Sequence, residues 1–150
     1  MTAGEIETLL RQRIIAENPP ITGSVYFKGM RPRMNPHGET VPHITDPEDG
    51  EIRLEDCEVM VPVGKGSELV EGTCIVNIYV PDTLTPSGVY MRNKRRTDEL
   101  EAWLLELPEA IRDGEVYFKR DGLISTIEEP KTNEHFVSLK MRFKVIENHY

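Results

Sequence analysis

Four bases crowd one short stretch of this sequence: Arg92, Lys94, Arg95 and Arg96, within "YMRNKRRTDEL". Such a run could bind an acidic partner. It could equally be a solvated link into the acidic segment that follows, with local ion pairs worth ~0.2–1 kcal/mol each. No aromatic platform is interleaved with the bases, which weighs against single-stranded nucleic acid. His37 and His43 share a loop with Asp46 and Asp49, a donor set that a metal could use. Their spacing matches no zinc pattern and a Pro-rich loop holds ligands poorly, so solvated loop histidines are expected. His135 lies in a strand-like segment and reads as a packed or edge residue.

Cys57 and Cys74 have no CxxC spacing and fall in strand-like segments, which reads as two buried free thiols. "GKG" at 64–66 is too short for a phosphate loop. No Gly-x-Ser-x-Gly, Walker-type or dinucleotide fingerprint is present. Glu128 and Glu129 are adjacent, so in a strand they face opposite ways and cannot work as an acid–base pair. The expectation is a protein that is not an enzyme, without cofactor or metal.

Composition narrows the partners. With 18 basic against 26 acidic residues, the formal net charge is −8. A generic DNA-binding face needs a surplus of Lys and Arg, and this chain has the opposite. A length of 150 residues fits one domain, with a core large enough to need neither disulfide nor metal. "MTAGEIETLL" has no basic start and no long apolar run, so neither a signal peptide nor a membrane span is expected.

Thr2 and Glu5 form a capping box, and Ile6, Leu9, Leu10 and Ile14 follow at helical spacing, so a helix is expected over about 3–16. Asn18-Pro19-Pro20 ends it. "GSVYFKGM" (23–30) is a short strand. Residues 31–50 hold four prolines and few large apolar residues, which predicts a long exposed arm, with Arg31 and Arg33 at its start. Strands are expected over 51–64, where Pro62 marks a sheet edge or strand end, and over 73–80. In the latter, Val76, Ile78 and Val80 face one way, and Ile75, Asn77 and Tyr79 the other.

A second helix is expected over about 98–108, with Asp98 as N-cap and Leu100, Trp103, Leu104 and Leu107 on one stripe. Ile111 continues the stripe if the helix persists past Pro108. Residues 115–129 read as a hairpin turning at Asp121-Gly122. The last strand, 134–147, alternates best: Val137, Leu139, Met141, Phe143 and Val145 against Phe136, Ser138, Lys140, Arg142 and Lys144. The fold class is therefore α+β, a mostly antiparallel sheet with two amphipathic helices packed on one face.

These features in this order resemble the tail-terminator, or tail-completion, proteins of long-tailed bacteriophages. The likeness rests on the N-terminal helix and "GSVYF", the strand "VNIYVPD" (76–82), the helix "DELEAWLLEL", the DG turn and the final "EHFVSLKMRFKVI". It spans about 1–30 and 51–147; the 31–50 arm has no counterpart. The resemblance implies a subunit without catalytic residues that assembles into a ring, commonly a hexamer. Such a ring caps the tail-tube protein, meets the head-completion or neck protein, and lets DNA pass its lumen without specific binding. It implies a virion protein made in the host bacterial cytoplasm. Neck and head-completion proteins share much of this plan, and the alternative reading is a head-completion or neck adaptor ring or the cap of a contractile injection system. Candidate contact residues are Asn77, Tyr79 and Phe136 on the outward strand faces, Arg31 and Arg33 in the arm, and Arg92, Lys94, Arg95 and Arg96 in the connector.

Overall fold

A computed structural model describes residues 1–34, 40–41, 54–62 and 68–146. Helix α1 spans Ala3–Ala16. Its capping box is present: the Thr2 hydroxyl takes the Glu5 N–H, and the Glu5 carboxylate takes the Thr2 N–H. Ile6, Leu10 and Ile14 form its buried stripe. Glu7 accepts the Val61 N–H and Arg11 donates to the Val25 carbonyl, so the polar flanks of the helix fix it to the strands beneath.

Strand β1 (Val25–Phe27) pairs in parallel with β4 (Cys57–Met60). Between them, β2 (Arg33–Met34) and β3 (Thr40–Val41) form a small antiparallel ladder of their own. The expected arm therefore contains paired backbone at 33–34 and 40–41; 35–39 and 42–50, with His37 and His43, lie outside the described residues. β4 is shorter than the expected 51–64 strand and stops at Met60, two residues before Pro62.

β4 pairs antiparallel with β5 (Glu71–Pro81), and β5 pairs along nearly its whole length with β11 (Glu134–Val145). After β5 comes a separate hairpin, β6 (Thr83–Leu84) and β7 (Tyr90–Met91), for which no strand is expected from the sequence. Helix α2 spans Lys94–Glu106. It is followed by β8 (Ala110–Asp113), β9 (Val116–Arg120) and β10 (Ser125–Glu129). The large sheet runs β1-β4-β5-β11-β9-β8, with β10 also on β11.

Three expectations need correction here. α2 starts at Lys94, not at Asp98. Asn93 is the N-cap, its side chain accepting the Arg96 N–H. The first turn carries no acidic residue. Pairs from Lys94 to Asp98 and from Arg95 to Glu99, each one turn on, extend the helix upstream against the unfavourable dipole of a basic first turn. At the other end Leu107 is the C-cap, and Ile111 belongs to β8 rather than to a prolonged helix. Arg120 of β9 satisfies the freed carbonyls of Leu105 and Leu107, a cation placed where the helix dipole favours one.

The third correction concerns Asp121-Gly122. β9 and β10 do not pair with each other. Both pair with β11, β9 along 141–145 and β10 along 134–138. They are successive segments of one edge, interrupted by 121–124. The two-residue hairpin turn is instead Gly114-Glu115, between Asp113 and Val116, and Gly114 has φ 58°. β10 and β11 are joined through 130–133, where Asn133 takes the left-handed conformation.

One face of the sheet is dry. Cys57, Val59, Cys74, Val76, Ile78, Val80, Val116, Phe118, Val137, Leu139, Met141 and Phe143 are buried there with the stripes of both helices in a single cluster. The α+β architecture is thus an antiparallel sheet with one parallel edge pair and both helices on one side.

Candidate functional site

The other face carries the polar part of the molecule. Register puts Glu134 opposite Pro81, Phe136 opposite Tyr79, and Ser138 opposite Asn77, while Glu58 of β4 lies opposite Asn77 on the other side. Arg31, leaving β1 by way of Gly29, folds back over this face. Its Nη2 lies 2.8 Å and its Nη1 3.3 Å from the Glu134 carboxylate oxygens, and its Nε 3.3 Å from Asp56 Oδ2. The guanidinium sits 4.1 Å above the centre of the Tyr79 ring, and Tyr79 packs on Phe136 at 5.2 Å between centroids. Glu134 is fully buried, and Arg31, Asp56 and Glu58 are nearly so.

One buried cation thus faces three carboxylates. Burial pulls the Arg31 guanidinium down, but its bonds and charge contacts with Glu134, Asp56 and Glu58 more than offset this, and its pKa is raised. Burial pushes the Asp56 carboxyl up, and the longer Arg31 contact and the Ser24 N–H do not fully counter it. Glu58 accepts the Gly29 N–H at 2.7 Å. Burial first, then Glu58, drives the Tyr79 hydroxyl well above the ordinary tyrosine range. Beside this cluster opens a cleft of about 290 Å³ lined by Lys28, Gly29, Glu58, Glu129, Lys131 and Thr132 among others.

Several expected contact residues are therefore placed differently. Arg31 is an internal anchor, not an outward-facing arm residue. Asn77 is only 8% exposed, and among the described residues its Oδ1 has no hydrogen-bond partner. Tyr79 and Phe136 are half-buried in one stack. These three share one face of the sheet, as alternation required; Arg31 covers Tyr79, and Phe136 packs on Tyr79 in turn. Arg33 opens β2, paired to Val41.

The basic run does not form one patch. Lys94 pairs with Asp98 at 2.5 Å, and Arg95 with Glu99 at 3.1 Å, both on the exposed surface of α2. Arg96 turns inward. It takes both oxygens of Glu55 at 2.6 and 2.8 Å, Glu99 at 2.7 Å, and the Pro20 carbonyl. Those bonds, Glu55 foremost, raise its pKa further, so it is charged at every working pH. Arg92 alone of the four makes no ion pair among the described residues. The run's acidic partners are mostly its own chain's.

Arg92 closes the feature that sequence reading missed. The β6–β7 hairpin turns at Thr85-Pro86-Ser87-Gly88, held by Gly88 N–H to Thr85 O at 2.9 Å and Val89 N–H to Thr85 Oγ1 at 3.2 Å, with Gly88 at φ 82°. Leu84, Val89, Tyr90 and Met91 are 48–58% exposed, and none joins the core. The signal was present: "TLTPSGVYM" is two β-prone pairs around a Pro-Ser-Gly turn.

His135 Nδ1 lies 2.6 Å from Asp82 Oδ1, fixing the strand end beside the hairpin. Both cysteines are free and buried; burial pushes the Cys74 thiol up to about 12 and Cys57 higher. Among the described residues no group of three metal-ligating side chains converges, and no helix is long and apolar enough to cross a membrane.

No family model matches the chain, and no curated protein matches it. A solved structure whose name states no activity aligns over 98% of this chain and 94% of that one, at 14% sequence identity and a TM-score of 0.42. A likeness at that level carries no argument about function.

Proposed function

We propose that this chain is a structural ring subunit, a phage tail terminator that caps the tail tube and joins it to the head or neck. The observation that carries the reading is the hydrogen-bonded β6–β7 hairpin, which holds four apolar side chains outside the core on a fold already closed by its own helices. An apolar surface on a pre-ordered element suits assembly. The order of elements supports the same reading, since β5, α2 and the long β11 come in the order of the plan that the sequence resembles. The acidic balance suits a lumen through which DNA passes, because like charge discourages adhesion.

The test is tail length. Adding the protein to polymerising tail-tube subunits should stop elongation, and depleting it during infection should give over-long tails. Tailless, leaking heads on depletion would place the chain in a head-completion or neck adaptor ring instead. Unchanged tails and intact virions would overturn the virion reading.

A further inference from the structure

Residues 28–32 lead from β1 over the polar face of the sheet, and one side chain holds them there. The Lys28 N–H still bonds the Val59 carbonyl at 3.2 Å, and the Met30 N–H closes a turn back on the Phe27 carbonyl at 3.1 Å. Beyond that turn, Pro32 has no N–H to give. Among the described residues the Arg31 backbone makes no hydrogen bond. Downstream, β2 pairs with β3 and, among the described residues, with no strand of the large sheet. Met30 is 60% exposed. The segment is therefore held down by the Arg31 guanidinium on Glu134, Asp56 and the Tyr79 ring. Gly29, at φ 80°, supplies a pivot that a side chain would strain.

We propose that this segment is an acid-released strap: proton uptake by the carboxylates around Arg31 frees the guanidinium, the segment swings about Gly29, and the Tyr79–Phe136 stack is uncovered. The groups facing Arg31 come from every neighbouring element. Asp56 precedes β4, Glu58 lies in β4, Tyr79 in β5 and Glu134 in β11, while Lys28, Glu129 and Lys131 line the adjoining cleft. The sign follows from what stays behind when Arg31 leaves. Asp56 Oδ1 remains against the Gly23–Ser24 backbone, accepting the Ser24 N–H at 3.1 Å. Part of its burial therefore persists, while the guanidinium that lowers its pKa is gone. Asp56 thus binds a proton more tightly with the strap open than closed, so acid favours opening, by about tenfold per pH unit for each proton taken up. Glu134 loses both bonds from Arg31 in the same step. Arg31 stays charged throughout, and burial keeps the Tyr79 hydroxyl protonated, so neither offsets this sign. Lys28 and Lys131 remain cationic and repel the guanidinium once its counter-charges are neutral. The strap needs no second copy and stands apart from the ring reading.

Solution NMR of the whole chain reads the strap directly. When it is closed, the Tyr79 ring 4.1 Å beneath the guanidinium shifts the Arg31 side-chain protons upfield, and the bond to Asp56 protects the Arg31 Nε–H from exchange. Both signatures should fade as pH falls from 7 to about 4, the range in which carboxylates take up protons. Over that range the β11 amides from Val137 to Val145 should keep their protection, corrected for the pH dependence of intrinsic exchange. Asp56→Asn with Glu134→Gln removes two of the counter-charges with little change of shape. In that variant the strap should be open at pH 7 and its response to pH largely lost. Arg31 signatures that persist at pH 4 would overturn the strap. So would signatures lost only together with the β11 amides, since release is then unfolding. A folded double variant whose Arg31 keeps its upfield shift at pH 7 overturns it too. If the double variant does not fold, the wild-type titration decides alone.

Discussion

Arg31 and Glu134, 103 residues apart, meet as a two-pronged ion pair on the polar face of the sheet, with the Glu134 carboxylate wholly buried. The pair ties the segment leaving β1 to the first residue of the last strand. It is roofed onto Tyr79 and shared with Asp56.

Breaking this pair from one side should be costly. Arg31→Met leaves Asp56, Glu58 and Glu134 buried without their cation, and a loss of about 3–5 kcal/mol is expected in urea unfolding. The deficit should depend on pH with a definite sign. Asp56 is already raised in the folded protein, and losing Arg31, whose charge lowers it, raises it further. A group raised on folding stabilises fully below its unfolded pKa and loses that contribution as pH rises through its folded pKa. The variant should therefore recover toward wild type as pH falls from 7 to about 4. A pH-independent deficit would mean that Arg31 acts by packing alone.

That cluster also marks where sequence reading runs out. Thr2 with Glu5, and the alternation of Val137 to Val145, declare α1 and β11 because their causes are local: a cap three residues away and a period of two. Arg31 with Glu134 has no local cause, so Arg31 read as an exposed arm base. Asp121-Gly122 has the chemistry of a hairpin turn, yet β9 and β10 both find β11, a choice made by a strand further along the chain and not by the turn itself. Asp98 looked like a cap because it precedes the apolar stripe. Asn93 prevailed through ion pairs that let a basic turn join the helix. The contact candidates fared by the same rule: alternation grouped Asn77, Tyr79 and Phe136 correctly, but not what would lie over them.

The helix start can be checked directly. Asn93→Ala removes the side chain that accepts the Arg96 N–H and should cost ~1 kcal/mol. Asp98→Ala removes only an exposed pair with Lys94 and should cost about 0.3–0.5 kcal/mol. Equal losses, or a larger one at Asp98, would restore the later start.

The two thiols should be silent in the native state. Burial holds Cys74 at about 12 and Cys57 above it, so neither carries useful thiolate at neutral pH. A chromogenic disulfide reagent at pH 8 should titrate neither cysteine until denaturant unfolds the chain, and then both. Prompt reaction of one thiol would show an opening of the sheet near β4 or β5.

Gly23 bears on how Asp56 is held. A Cβ there would fall 1.8 Å from Asp56 Oδ1 and 2.6 Å from the Glu55 carbonyl, while the Gly23 N–H donates to that carbonyl at 2.8 Å. Gly23→Ala should cost about 1–3 kcal/mol through displacement of a packed backbone. The measurement is the urea midpoint, and an unchanged midpoint would show that the 54–56 segment yields freely.

The basic run separates into unlike members under charge reversal. Arg95→Glu exchanges an exposed partner of Glu99 for a like charge on a solvated helix face, so stability should fall by well under about 1 kcal/mol. Arg96→Glu sets a new carboxylate against Glu55, whose side chain is only 10% exposed, and removes the tie to Pro20 O. That change should cost several times more, because Glu55 loses its partner and gains a repulsion. Any effect of Arg96→Glu on assembly therefore has to be read against its melting temperature. Arg92→Glu is the informative reversal in this run, since among the described residues Arg92 has no ion pair to lose. It should leave unfolding unchanged, because among the described residues Arg92 makes no ion pair, so any loss of assembly it causes reports a contact made outside the chain's own fold. If Arg92→Glu unfolds the protein as Arg96→Glu does, the run acts only as an internal brace.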